Sequence, residues 1–124
     1  MPVQFSKAAV IAKNQTAIEA CTQSIDRLDN IVGLSGSKEH KRITQRSRAV
    51  NERTNLRQVN AHLRAAGTTF KPLADSVAGE LNDLGNRLDQ QIRNDLIAGA
   101  TIDFITSVLQ DVAKIRDITD SNKA

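Results

Sequence analysis

The chain is predicted to be all-α: an elongated antiparallel up-down bundle of three to four helices. Aliphatic residues recur at three- and four-residue spacing along most of its 124 residues, which is the mark of amphipathic helices. The only aromatic residues are three Phe, with no Trp or Tyr. A core must then be built from Leu, Ile, Val and Ala, a set that suits helices better than the alternating aromatic and β-branched pattern of strands. Glycines separate the periodic stretches. The length is that of one domain, so residues 1–124 are read as a single helical bundle, long enough to bury more than half of its unfolded surface.

The first helix is expected over residues 6–32. Ile11, Ile18, Ile25 and Val32 repeat every seven residues beside Ala17, Cys21, Leu28 and Ile31, a coiled-coil-like seam. Ser6 is the expected N-cap and Gly33 the residue that ends the helix. After Gly33-Leu34-Ser35-Gly36-Ser37, with Ser37 as cap, a second helix is expected over 38–66, stopping at Gly67. Ala49, Leu56, Val59, Leu63 and Ala66 form one apolar side, and Ile43, Val50 and Ala61 another. Thr44, Asn51, Asn55, Gln58 and His62 make a neutral polar face expected to look outward. A third helix over 72–98 opens on Pro72 and carries Leu73, Val77, Leu81, Leu84, Leu88, Ile92 and Leu96. Gly79 and Gly85 either weaken it or permit close packing. A fourth helix over 101–119, capped by Thr101, has the widest apolar face and should be the most buried; the alternative is one kinked rod with the third. The tail from Asp120 should fray.

The net charge is +3 and the isoelectric point about 9.4, less telling than where the charge sits. Cys21 is the only cysteine, so no internal disulfide forms, and on the apolar stripe it reads as a small core residue. No apolar run approaches the roughly 18 residues of a membrane span, and the N-terminus lacks a secretory pattern. A soluble, cytoplasmic chain is expected. Asn14-Gln15-Thr16 fits a glycosylation acceptor but lies within a predicted helix and is discounted.

No catalytic constellation is visible, so no enzyme, metal or cofactor is expected. His40 and His62 are far apart in sequence and have no ligand spacing. There is no HExxH, paired CxxC, P-loop or dinucleotide fingerprint. Asp83, Asp89 and Asp95 recur every six residues, which scatters them around a helix.

The most pronounced feature is basic. Residues 38–64 hold eight of the seventeen Lys and Arg and only Glu39 and Glu52 as acids, a net +6 against −3 for the rest. Arg42, Arg46, Arg53, Arg57 and Arg64 fall within about 60° of one another on a helix, a row roughly 33 Å long. One reading is a solvated or internally paired row. Another is a groove for an acidic or amphipathic helix of a partner protein, with Val50 and Leu56 as apolar neighbours, since arginine binds carboxylates through a planar fork while its stem packs on apolar surface. The alternative is a polyanion, nucleic acid or anionic membrane, met by the same arginines. The lack of Trp and Tyr for base stacking and the acidic remainder of the chain count against it. We expect a non-catalytic protein-binding module, with self-association by pairing of two bundles as a further expectation.

Ile25-x-x-Leu28, then Gly33-Leu34-Ser35-Gly36-Ser37, then Arg42 opening a polar helix that ends around Leu56 and Leu63, resembles the N-terminal regulatory bundle of syntaxin-type SNARE proteins. Asp103-Phe104 followed by Leu109 and Arg116 is similar to the end of that family's third helix. The resemblance covers about half the chain. It implies a bundle that folds back on a SNARE helix or binds a trafficking regulator. The helix at residues 67–100 departs from the family's shorter connection, and no SNARE motif or membrane anchor follows. A secretion-system or phage component of helical build is the other expectation.

Overall fold

The computed structural model describes residues 7–65, 73–93 and 101–120. Four helices pack together: α1 (Lys7–Asp29), α2 (Ser37–Arg64), α3 (Asp75–Ile92) and α4 (Thr101–Asp120). The all-α bundle is what the aliphatic periodicity demanded. Ser6, Ala66, Gly67, Pro72, Asp95, Leu96, Gly99, the side chain of Thr101 and the tail beyond Asp120 lie outside the described residues.

Side-chain contacts set the directions of the helices. Arg46 meets Asp29, Arg53 meets Thr22 and Asn60 meets Asn14, so α2 runs antiparallel to α1. Lys41 meets Asp103, Gln45 meets Thr106 and Glu52 meets Arg116, so α4 runs parallel to α2. Lys13 lies over Gly85 and Gln23 reaches Ile92, so α3 runs parallel to α1 and antiparallel to α4. Each helix therefore reverses its predecessor, and α3 and α4 are two helices rather than one rod. Around the bundle the order is α1, α2, α4, α3. The helices α1 and α4 also touch each other across the middle, whereas α2 and α3 make no close approach among the described residues. The cross-section is a rhombus, with α1 and α4 on its short diagonal.

That arrangement explains where the core sits. Val10, Ala17, Cys21 and Leu28 of α1 and Ile105, Leu109, Val112 and Ile115 of α4 are all fully buried. Leu56 and Leu63 of α2, with Leu81 and Leu88 of α3, close the core from the two outer corners. Each such buried leucine contributes about 1.5–3 kcal/mol. The expectation that α4 is the most buried holds only jointly with α1, because both occupy the short diagonal. No helix of the described residues is long and apolar enough to cross a membrane.

Four local expectations are corrected. α3, expected over 72–98, spans Asp75–Ile92, with Ala74 at its N-cap and Arg93 at its C-cap. α1 ends at Asp29, where Asn30 N–H donates to the Asp26 carbonyl and Ile31 N–H to that of Leu28. Gly33 does take a positive φ, 79°, but it turns the loop instead of ending the helix. Val32, counted in the seam, is consequently in that loop and 85% exposed. Ser37 is not the cap of α2: it is the first helical residue, and Gly36 (φ 61°) occupies the cap position without a side-chain bond.

Polar groups are buried in the packing, and the hydropathy pattern does not reveal them. Asn14 Nδ2 donates to Asn60 Oδ1 at 2.8 Å, and Asn60 Nδ2 to the Ile11 carbonyl at 3.3 Å. At the C-terminus of α3, Gln23 and Arg27 both donate to the Ile92 carbonyl, at 2.6 and 3.4 Å. They supply a partner where a helix end lacks one. Arg27 also lies 5.8 Å from the Phe104 ring centroid.

Asn60→Ala strands the buried Asn14 amide and removes a second bond to the Ile11 carbonyl. It should cost about 1–3 kcal/mol in urea denaturation, while replacing both asparagines by leucine recovers most of that loss. Gly79 and Gly85 should behave oppositely. A Cβ at Gly79 meets nothing within 4 Å, so Gly79→Ala gains about 1 kcal/mol of helix propensity. At Gly85 it would lie 2.6 Å from Lys13 Cδ, so Gly85→Ala must displace Lys13 and should gain less than Gly79→Ala or lose stability.

Candidate interface along the second helix

Four faces of α2 do different work. Its core stripe is thin: Ala49, Leu56, Val59 and Leu63. Toward α4 it presents polar residues. Lys41 Nζ pairs with Asp103 at 2.9 Å, Gln45 donates to Thr106 Oγ1 at 2.8 Å, and Arg116 Nε donates to Glu52 at 2.5 Å. Toward α1 stand Arg46, Arg53 and Asn60, one every seven residues. They meet Asp29 at 2.7 Å, Thr22 Oγ1 at 3.3 Å and Asn14. Thr44, Asn51, Asn55, Gln58 and His62 are all exposed, so the neutral polar face does look outward.

The arginine row thus lies along the α1–α2 seam and divides into two halves. Its N-terminal half is compensated. Arg42 forks onto both oxygens of Glu39 one turn earlier, and Arg46 makes two bonds to Asp29. The C-terminal half has no carboxylate among the described residues. Arg53 is half-buried, with only the Thr22 hydroxyl as acceptor and its Nε buried without one. Arg57 and Arg64 are exposed. The internally paired reading therefore describes Arg42 and Arg46 and leaves the other three.

The apolar neighbours need correction. Leu56 is wholly buried and offers nothing to a partner; its position on the wheel is the core stripe itself. Val50 is half-buried, packed against the core from outside. Among the described residues, the large apolar side chains that do face solvent are Val32 and Ile43, 85% and 53% exposed. Both are at the end of the bundle where α1 turns into α2. Ile43 lay on the secondary apolar stripe, but Val32 could be found only once α1 was known to stop at Asp29.

Two features that the spacing did not show are Glu52–Arg116 and Asn14–Asn60. Glu52, one of only two acids in the basic stretch, turns inward to Arg116 of α4. The Arg116 guanidinium is held above its usual value by that bond and by the nearby Asp117 and Asp120. Cys21 sits behind α2, and burial, aided by Glu52, pushes its thiol up to about 12 despite Arg53 and Arg57. It is an inert core residue, as expected.

The surface ion pairs predict an acid limb of the stability curve. The hydrogen bonds from Arg46, Arg42 and Lys41 hold Asp29, Glu39 and Asp103 below their ordinary values of 3.8, 4.5 and 3.8. A depressed folded pKa adds stability above the unfolded pKa, and this is lost as pH falls through the folded one. The urea midpoint should therefore hold at neutral pH and drop below about pH 4.5. Lys41→Gln/Arg46→Gln should lower the midpoint at neutral pH and converge on the parent in acid; a constant gap at all pH would show that these pairs do not set the limb.

Comparison with protein-family models, curated proteins and solved structures finds no match for this chain. The likeness to syntaxin-type bundles therefore rests on the residues quoted for it.

Proposed function

We propose that the chain is a non-catalytic interaction module that binds an acidic helical segment of a partner protein along the outer α1–α2 seam. The observation that carries this reading is the uncompensated half of the arginine row. Arg53, Arg57 and Arg64 stand on one edge of α2 without a carboxylate among the described residues, whereas Arg42 and Arg46 have theirs. A helix laid along the seam would answer them with acids at spacings of four and seven, one and two turns apart on its own face. Half-buried Val50 supplies an apolar contact beside them. Arginine suits this role because its guanidinium binds a carboxylate through two parallel bonds. The same surface would serve the role implied by the syntaxin-type resemblance, in which a bundle captures a helix. A cytoplasmic setting belongs to this proposal.

The test is fluorescence anisotropy with a labelled helical peptide bearing glutamates at that spacing. A DNA duplex and anionic vesicles run alongside it, from about 50 to 200 mM salt. The peptide should bind, and Arg57→Glu/Arg64→Glu should weaken it at least tenfold with unchanged helical circular dichroism. Tighter binding of DNA or vesicles with a steep salt slope would make the row a phosphate reader. A double variant that binds the peptide as well as the parent would overturn the site.

A further inference from the structure

We propose that α3 is a displaceable helix, closing a groove between α1 and α4 that receives an amphipathic helix of the same pattern from a partner protein. The two outer helices bury apolar stripes of the same make-up: Ala49, Leu56, Val59 and Leu63 on α2, Ala78, Leu81, Leu84 and Leu88 on α3. Aliphatic burial therefore does not decide which of them is held more firmly. The polar ties do. Arg46, Arg53 and Asn60 bind α2 to α1, and Lys41, Gln45 and Glu52 bind it to α4. Among the described residues, α3 has two such ties: Arg87 to Asp111 of α4, and the Ile92 carbonyl to Gln23 and Arg27 of α1. α3 is also shorter, 18 residues against 28, and contains Gly79 and Gly85 where α2 has no glycine. Each glycine lowers helix propensity relative to alanine. Local opening starts where stabilising contacts are fewest, so α3 is the helix that opens first.

The seat that α3 occupies carries polar recognition as well as apolar surface. Asp111 is only 7% exposed, and Arg87 forks onto both of its oxygens, at 3.0 and 3.2 Å. Such a fork is specific to a guanidinium. When α3 leaves, the Asp111 carboxylate loses this cation. Further along, the Gln23 amide and the Arg27 guanidinium donate to the carbonyl of Ile92, the last residue of α3. A helix end offers such acceptors because it has no donors of its own for them. Together the two features fix where along the groove a helix must end. A helix that fits has aliphatic residues at spacings of three, three and four, an arginine just before the last of them and its end four residues beyond, as α3 itself has. Anchors at these spacings are how a helix is read in a groove. While α3 is seated, its high local concentration keeps the partner out, so the contact is autoinhibitory.

Two measurements on the full chain test this, and neither depends on the reading of α2. In native-state hydrogen exchange, the slowest amides of α3 should exchange about tenfold or more faster than those of α1 and α4, with a weaker dependence on urea. Exchange of all three helices in step overturns the displaceable helix. The second measurement is fluorescence anisotropy with a labelled synthetic peptide of residues 74–93. In the chain, Gly79→Ala strengthens the seated helix and should weaken peptide binding about fivefold. Arg87→Gln in the chain releases α3 from Asp111 and should strengthen peptide binding, whereas the same change in the peptide should weaken it. Both positions are clear of the core: a Cβ at Gly79 meets nothing within 4 Å, and the Arg87 side chain is 55% exposed. Both variant chains should therefore fold. Failure of the peptide to bind the Arg87→Gln chain overturns the groove. The peptide is itself acidic, so the arginine edge of α2 is the competing site. Binding that ignores Gly79→Ala and both Arg87→Gln changes, but falls with Arg57→Glu/Arg64→Glu, belongs to that edge and overturns the groove as well.

Discussion

Every seventh residue on one edge of α2 is tied to α1: Arg46 to Asp29, Arg53 to Thr22, Asn60 to Asn14. A second series, Gln45 and Glu52, reaches Thr106 and Arg116 of α4. These polar rungs flank a narrow line of Ala49, Leu56, Val59 and Leu63. A leucine-and-alanine line alone would tolerate sliding by a heptad, because one such layer resembles the next. A half-satisfied asparagine or glutamate in the interior does not tolerate it, since a lost partner costs more than a well-placed one contributes. The register of α2 on both neighbours, and through it the parallel pairing of α2 with α4, depends on those rungs.

The rhombic section follows from what the rungs permit. With α2 attached largely through polar side chains, most of the buried aliphatic side chains belong to α1 and α4, which meet across the middle. The two outer helices then become the chemical faces of the molecule, one basic and one acidic. Their separation has a functional consequence, because opposite charges held apart by the bundle cannot neutralise each other internally. Among the described residues, Arg57, Arg64 and Asp83 meet no opposite charge.

The arginine row also shows how one sequence pattern can contain two roles. Arg46 and Arg53 belong to the seam with α1; Arg57 and Arg64 sit on the same stripe of the wheel but have no acid among the described residues. Arg42 is settled locally by Glu39. Heptad spacing alone cannot separate these cases, because a rung and a free cation repeat with the same period. What separates them is whether the neighbouring helix places an acceptor at that height, and Asp29 and Thr22 lie at the heights of Arg46 and Arg53.

The helices themselves were legible in the sequence, because aliphatic periodicity, glycine punctuation and the lack of aromatics act locally and agree with one another. The outward neutral face of α2 was legible for the same reason; the alternation of direction was legible only in part, since short loops imply antiparallel neighbours but left α3 and α4 open as one kinked rod. The end of α1 was misplaced by three residues, since Val32 continues the heptad on paper while the backbone has already turned at Asn30. Leu56 was misread as an accessible neighbour because a thin apolar stripe looks much the same whether it faces a partner or the core. Sequence by itself determined that this chain is a helical bundle with its positive charge gathered on one helix. Only the tertiary structure decided which helices are neighbours, which arginines are neutralised and that the acidic helix stands opposite the basic one. Those outcomes depend on contacts between residues far apart in the chain, and helical periodicity carries no information about them.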